Sequence, residues 1–424
     1  MLRIVAAALP LLVLLFSVPA SGSPDRGNDT EAGKLAQSQN AFATDLYAQL
    51  RGQPGNLFFS PRSVATALSM TFVGAKGDTS TEMAKVLHLQ ALRSGTQNAT
   101  LTLPGLVLDG YAEQQKLLFH EPVHDGLELH AANGVWLKAD YPLKPEFGKA
   151  VTESFKGSLE PVDFSNEPAV RKKINSWVSD QTEHKIQDLI PANVLKPDTR
   201  LVLANAIYFK AVWQAKFERE ATGKAKFHVS LNKDVDVDMM RQTRFFELAE
   251  LEGFKLLVMP YKGNEASMVV LLPDKVDGLA DLEMSLTAGK LASWLEKTKS
   301  VRVALSLPRF KSTSTLNLNN PLMDLGMKKA FSVGQADFTG IANVPGDPLY
   351  IGLVMHKAFV DVNEEGTEAA AATAVSMMAG AAMRPAEPVP FVADHPFVYI
   401  IRSTRTGGIL FMGRLSDPTG QGEQ

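Results

Sequence analysis

The chain has 424 residues, 45% hydrophobic and 21% charged, with a formal net charge of −3 at pH 7; this is globular composition, enough for one large domain or two to three smaller ones. So small a net charge gives no overall pull toward nucleic acid or an anionic membrane. Cysteine is absent, which excludes disulfides, a thiolate nucleophile and cysteine-ligated metal.

The first residues, MLRIVAAALPLLVLLFSVPASGSPD, place one arginine before an apolar run that ends in small residues. This pattern predicts a secretory leader over residues 1–22, cut after Ala20 or Gly22. Pro10 and the shortness of the run disfavour the competing reading, a membrane anchor, and no second spanning stretch follows. The mature chain is expected to be secreted, or periplasmic in a bacterial source. Residues 23–34, rich in Ser, Asp, Gly and Asn, read as a mobile tail, and 419–424 as a second. Asn28 and Asn98 head glycosylation acceptors, used only if the source glycosylates.

Apolar spacing predicts a helix over residues 36–50, with Phe42, Leu46, Tyr47 and Leu50 on one face. A second helix follows in SPRSVATALSMTFVGA: Ser60 caps it, Pro61 takes its first position, and Val64, Leu68 and Phe72 form its stripe. DTSTEMAKVLHL predicts a third, capped by Thr79 or Ser80. Between Leu89 and Leu127 only a short helix over 111–118 is expected, with loops on both sides. A longer helix begins at Asn166 or Glu167 and aligns Val170, Ile174, Trp177 and Val178. Strands are expected in LELHAANGVWL, TRLVLANAIYFKAVW, FKLLVMPY, ASMVVLLP, VRVALSLPRF, LVMHKAFVDV, FVYIIRS and GGILFMGRL, all rich in β-branched and aromatic residues. No repeat and no Pro- or Ser-rich linker divides the body, so helices and strands mix in one α+β domain.

One metal motif is present on paper. HEPVH, His120 to His124, matches H-E-x-x-H, which needs both histidines on one helical face. Pro122 breaks that helix and no third ligand is arranged nearby, so solvated loop histidines are the better reading and no metal is expected. No G-x-S-x-G elbow or P-loop occurs. His356 alone reads as a satisfied core histidine.

The segment EEGTEAAAATAV, residues 364–375, is the unusual one. It follows a strand, yet no side chain from 366 to 374 is larger than Thr except Glu368. It suits a flexible or helical linker, because Ala is a good helix former. It also suits a strand that enters a sheet late. Thr367, Ala369, Ala371 and Thr373 would then share one face, small enough to settle between two existing strands. Glu368, Ala370, Ala372 and Ala374 would face the other way.

The surrounding motifs resemble the serpin family of serine protease inhibitors over residues 35–418. NLFFSPRSVATALSM, TRLVLANAIYFKAVW, LPRF, LNLNNPLMDLGMKKAFS, ADFTGI, HKAFVDVNEEGTEAAAATA and ADHPFVYIIRSTRTGGILFMGRLSDP occur in the family's order. The resemblance implies a single mixed α+β domain: a large central β-sheet, two further sheets, about eight to nine helices and an exposed reactive loop over about 364–393. It implies that Glu364, Glu365, Gly366, Thr367, Glu368, Ala369, Ala370, Ala371, Ala372 and Thr373 form the loop's hinge. Ser60, Ser63, Asn205 and His356 match the polar cluster where the central strands part. Trp213 matches the aromatic at the sheet's upper end, and Arg309 is placed to pair with Glu364.

The resemblance further implies a suicide substrate with no catalytic group and no cofactor of its own. Family spacing puts the scissile bond at Gly380–Ala381. The loop beyond Gly380 is longer than the family pattern, so Met377, Met378, Ala379 and Met383 stay open as alternatives. Small and Met side chains there favour an elastase-, chymotrypsin- or subtilisin-like target, and a cysteine protease could use the same loop. The expected partner is thus a protease, with no nucleic acid or membrane partner and a monomeric state. The alternative is a non-inhibitory member acting as carrier, storage protein or chaperone; such members often carry charge, bulk or Pro in the hinge, and none lies between Ala369 and Val375.

Overall fold

The computed structural model describes residues 30–94, 101–118, 127–367 and 387–420. Its described helices are α1 (Glu31–Leu50), α2 (Pro61–Phe72), α3 (Gly77–Val86), α4 (Leu103–Leu118), α5 (Pro145–Glu153), α6 (Glu167–Gln181), α7 (Leu279–Ser285), α8 (Ala288–Leu295) and α9 (Asn319–Asp324). The strands are β1 (Leu57–Phe59), β2 (Leu127–Lys138), β3 (Ser158–Val162), β4 (Leu201–Val212), β5 (Gly223–Ser230), β6 (Lys233–Leu251), β7 (Phe254–Pro260) and β8 (Ala266–Pro273). They continue with β9 (Lys299–Pro308), β10 (Phe310–Asn317), β11 (Ile351–Val362), β12 (Gly366–Thr367), β13 (Val389–Val392), β14 (Phe397–Ser403) and β15 (Ile409–Leu415).

Six strands form the central sheet in the order β10-β11-β12-β4-β2-β3. Within it β4 and β11 run parallel, whereas β10–β11 and β2–β4 are antiparallel. β4 reads as an almost unbroken apolar run, LVLANAIYFKAV, because both faces of the sheet are covered. On one face α6 lays Ile174 and Val178 into a cluster with Trp136, Tyr208 and Met355. On the other, α2 packs against β4, β2 and β15. All twelve residues of α2 are buried, which holds its N-terminus beneath the middle of the sheet.

The second sheet follows the path β1-β15-β14-β8-β7-β6-β9-β13, with β5 also paired to β6. The two further sheets expected from the sequence are joined here, because β6 is 19 residues long and pairs with β5, β7 and β9 along its length. β9 pairs with its middle, Met239 to Leu248, and β7 with its end, Glu247 to Leu251.

Several sequence expectations change at their borders. α1 starts at Glu31, capped by Thr30, so residues 31–34 belong to the body rather than to a tail. Ala32 is buried there; its N–H donates to Glu113 Oε2 and its carbonyl accepts from Gln114. α3 starts at Gly77 without a side-chain cap, not at Thr79 or Ser80. The short helix expected over 111–118 is the end of the 16-residue α4, whose Pro104 and Gly105 read as loop but sit in its first turn. The helix from Glu167 stops at Gln181.

Candidate functional site

Two stretches of the β4–β11 seam form the site. In its middle the strands pair directly, from Ile351 opposite Leu201 to Phe359 opposite Tyr208. His356 lies opposite Asn205, and Asn205 lies opposite Asn133 of β2. These side chains meet the N-terminus of α2. The Ser60 N–H donates to His356 Nε2 at 3.0 Å, and Ser60 Oγ donates to the Leu410 carbonyl at 2.7 Å. Since Nε2 accepts, the His356 proton sits on Nδ1 and donates to Asn205 Oδ1. Asn205 Nδ2 in turn donates to Ser63 Oγ at 2.6 Å and to Asn133 Oδ1 at 2.5 Å. None of these side-chain atoms is buried without a partner. Burial lowers the His356 pKa to about 3, which keeps the ring neutral and the Ser60 N–H bonded.

At the upper end of the seam the strands separate and β12 fills the gap. Gly366 pairs with Val212 and Thr367 with Ala211, antiparallel to β4. Thr367 also pairs with Val362, antiparallel to β11. A tight turn makes this possible: Asn363 N–H donates to the Gly366 carbonyl, and Gly366 N–H to that of Asn363. Glycine is needed at 366 because a Cβ there would stand 2.0 Å from the Ala211 carbonyl oxygen and 2.7 Å from Val212 Cα. Thr367 is fully buried, and its Oγ1 meets the Tyr261 hydroxyl at 2.8 Å. Tyr261 stacks on Trp213 with ring centroids 4.5 Å apart.

Polar contacts clamp the turn from outside. Trp213 donates its backbone N–H to the Glu365 carbonyl and its Nε1–H to that of Asn363, both at 2.9 Å. Lys216 Nζ donates to Glu365. The Glu364 carboxylate, 3% exposed, accepts from Arg309 Nε at 2.7 Å and Thr222 Oγ1 at 2.6 Å, and it also pairs with Arg309 Nη2. Burial works to raise its pKa, but the bonds from Arg309 and Thr222 outweigh this and hold it below the usual carboxylate value.

Over residues 37–418 the chain matches the family model Serpin, described as serine protease inhibitor. The chain belongs to the serpin family. It is 41% identical to human Serpin B3 over 396 residues, covering 91% of this serpin and 99% of that protein. It is 39% identical to the leukocyte elastase inhibitor of Bos taurus, covering 91% and 100% of the two chains. The solved structure of human thyroxine-binding globulin superposes with a TM-score of 0.80 at 28% identity, covering 92% of this chain and 100% of that one.

Of the residues singled out in the sequence, Ser60, Ser63, Asn205 and His356 come together in one network, and Trp213, Arg309, Glu364, Glu365, Gly366 and Thr367 in another. Glu364 to Thr367 are buried or half-buried rather than displayed. At the far end Val389–Val392 pairs with β9 as β13. The loop expected over 364–393 is therefore shorter at both ends. Glu368 to Thr373, the bond candidates Met377, Met378, Ala379, Gly380, Ala381 and Met383, the HEPVH motif and the leader lie outside the described residues. Asn133, Thr222 and Tyr261 escaped sequence reasoning. Only Asn133 carried a signal, as an amide in the middle of an apolar strand. One group among the described residues, Glu128, His130 and Glu183, brings three ligand-type atoms within 4.8 Å of one another. Lys210 already occupies Glu128 Oε1 at 2.8 Å.

Proposed function

We propose that this serpin is a secreted suicide-substrate inhibitor of serine proteases, which traps the acyl-enzyme by drawing its cleaved loop into the central sheet. The observation that carries this reading is the register of β12. Gly366 and Thr367 already lie antiparallel to both β4 and β11. Continued residue by residue, that register would bring Ala369 opposite Phe209 and Val360, and Thr373 opposite Asn205 and His356. The two pairings agree on the same residue. The arriving Thr373 hydroxyl would replace the His356–Asn205 bond as the strands part, so neither buried group would lose its partner.

The steps follow from this. The protease serine attacks the carbonyl of the scissile bond, and the amine product leaves as an acyl-enzyme forms. Gly380–Ala381 is the bond favoured by spacing; cleavage after Met377, Met378, Ala379 or Met383 is the alternative. The cut frees the loop from its far anchor at β13. One parallel pairing, β4 with β11, is then exchanged for two antiparallel ones, which are slightly the more stable per residue. About a dozen residues gaining 0.5–1.5 kcal/mol each would release on the order of ten kcal/mol. The uncleaved fold is thus held kinetically; loop insertion in serpins is itself a standard instance of such a switch. Small inward residues at 369, 371 and 373 permit the entry. The apolar leader, which precedes the matched residues 37–418, supports export.

A carrier role is the second reading, and the likeness to thyroxine-binding globulin favours it. A panel of elastase-, chymotrypsin-, subtilisin- and trypsin-like proteases, and a cysteine protease, separates the two on a denaturing gel. An inhibitor yields a covalent band that survives boiling, and mass spectrometry of the released peptide identifies the bond. Clean cleavage by every enzyme without such a band contradicts inhibition.

A further inference from the structure

Arg62, in the first turn of α2, is 7% exposed. Among the described residues its guanidinium makes no hydrogen bond or ion pair, and its Nε is enclosed without a partner. Burial lowers its basicity, opposed only by the Tyr111 hydroxyl. A guanidinium remains charged even so. An unpaired buried charge costs several kcal/mol, so its position calls for a counter-ion that the described residues do not supply.

Arg62 lines a cleft of about 550 Å³ beside β2 and α4, within the size range of small-molecule sites. Leu129, Ala131 and Phe155 give it apolar walls, and the exposed Lys116 and Lys156 add positive charge. No Asp or Glu lines it among the described residues. We propose that this cleft binds a small organic anion, a carboxylate on an apolar body, with the Arg62 fork receiving the two carboxylate oxygens. An inorganic oxyanion alone would leave most of the volume and all of the apolar wall unused. The cleft shares Ser63 and Asn133 with the seam network, but the proposal does not rest on protease inhibition and would hold for a carrier equally.

Decanoate titrated calorimetrically into the full chain tests this, with decanamide and inorganic phosphate as the other arms. Decanoate should bind about tenfold or more tighter than either, because a bidentate charged pair and apolar burial act together. Arg62→Met should lose that preference while melting no lower than the parent, since an unpaired charge has been removed. Arg62→Lys should fall between them, and Lys116→Met/Lys156→Met should weaken decanoate several-fold. The proposal is overturned if Arg62→Met binds decanoate as tightly as the parent, or if decanamide or phosphate matches decanoate. It is also overturned if the lysine variant is unchanged, or if Arg62→Met melts well below the parent, which would reveal a structural partner.

Discussion

The middle and the upper end of the β4–β11 seam hold the same two strands by different means. In the middle the strands are zipped together, and side chains from three strands and α2 close the hydrogen bonding. At the upper end they are apart, and backbone ladder bonds from β12 replace those they have lost. Side-chain bonds among hydroxyl, amide and imidazole can be exchanged one at a time, so the middle is closed but able to open. The upper end is already open, wedged by Thr367 and pinned by ion pairs on Glu364 and Glu365. On the function proposed above, the seam is an insertion begun over two residues, Gly366 and Thr367.

Changes at the wedge should have the largest effects. Thr367→Arg puts a cation where Thr367 has no exposure and a tyrosine hydroxyl as neighbour. If the chain acts as proposed, this variant should behave as a substrate, consuming about tenfold more protein per protease trapped, because an unpaired charge would have to enter the sheet. Unchanged stoichiometry on titration against a trapped protease would break the link between wedge and insertion. Arg309→Gln leaves the Glu364 carboxylate buried with only Thr222 and should cost about 3 kcal/mol, read from urea midpoints. Glu364 titrates below its usual value, so its contribution is present above about pH 4.5 and fades as pH falls through the folded value. The variant should lose that acid-side loss.

Gly366→Ala should cost about 2 kcal/mol by driving a methyl group into the β4 backbone. Because Trp213 bonds to the hinge carbonyls, its fluorescence should change, and the hinge should become cleavable by non-target proteases. An unaltered spectrum would mean that the wedge tolerates a Cβ.

The middle responds more gently. Folded His356 resists protonation down to about pH 3, while the unfolded side chain accepts a proton near pH 6.5. Between those values the unfolded state binds more protons, so stability falls as pH falls. Going from pH 7.5 to 5 should cost about 2 kcal/mol through this residue, and His356→Gln should flatten that part of the profile. Asn133→Ala removes one acceptor from Asn205 and should cost about 1 kcal/mol.

The same contrast explains what the sequence disclosed. The helix start in the middle was legible from Ser60 and Pro61, whereas the cluster of Ser60, Ser63, Asn205 and His356 was legible only through the family resemblance, His356 alone reading as a core histidine. The hinge was legible by its small size, but not its place: of the face that alternation assigned, only Thr367 lies among the described residues, and the burial of Gly366 and Thr367 depends on Tyr261 and Val212, distant in sequence. Strands β6 and β10 were missed because charged and hydroxyl residues fill them; FKSTSTLN is a strand by virtue of pairing with β11, not by composition. The start of α1 was taken for tail because Ala32 and Gly33 look unstructured until α4 covers them.

The central claim is that entry of the severed loop completes the sheet and releases the strain of an open seam. Thermal melting before and after a single cut within residues 368–386 tests it most directly, using a protease that is not itself trapped. The account predicts that the cut protein melts about 15 °C or more above the intact one. Equal melting temperatures would contradict it.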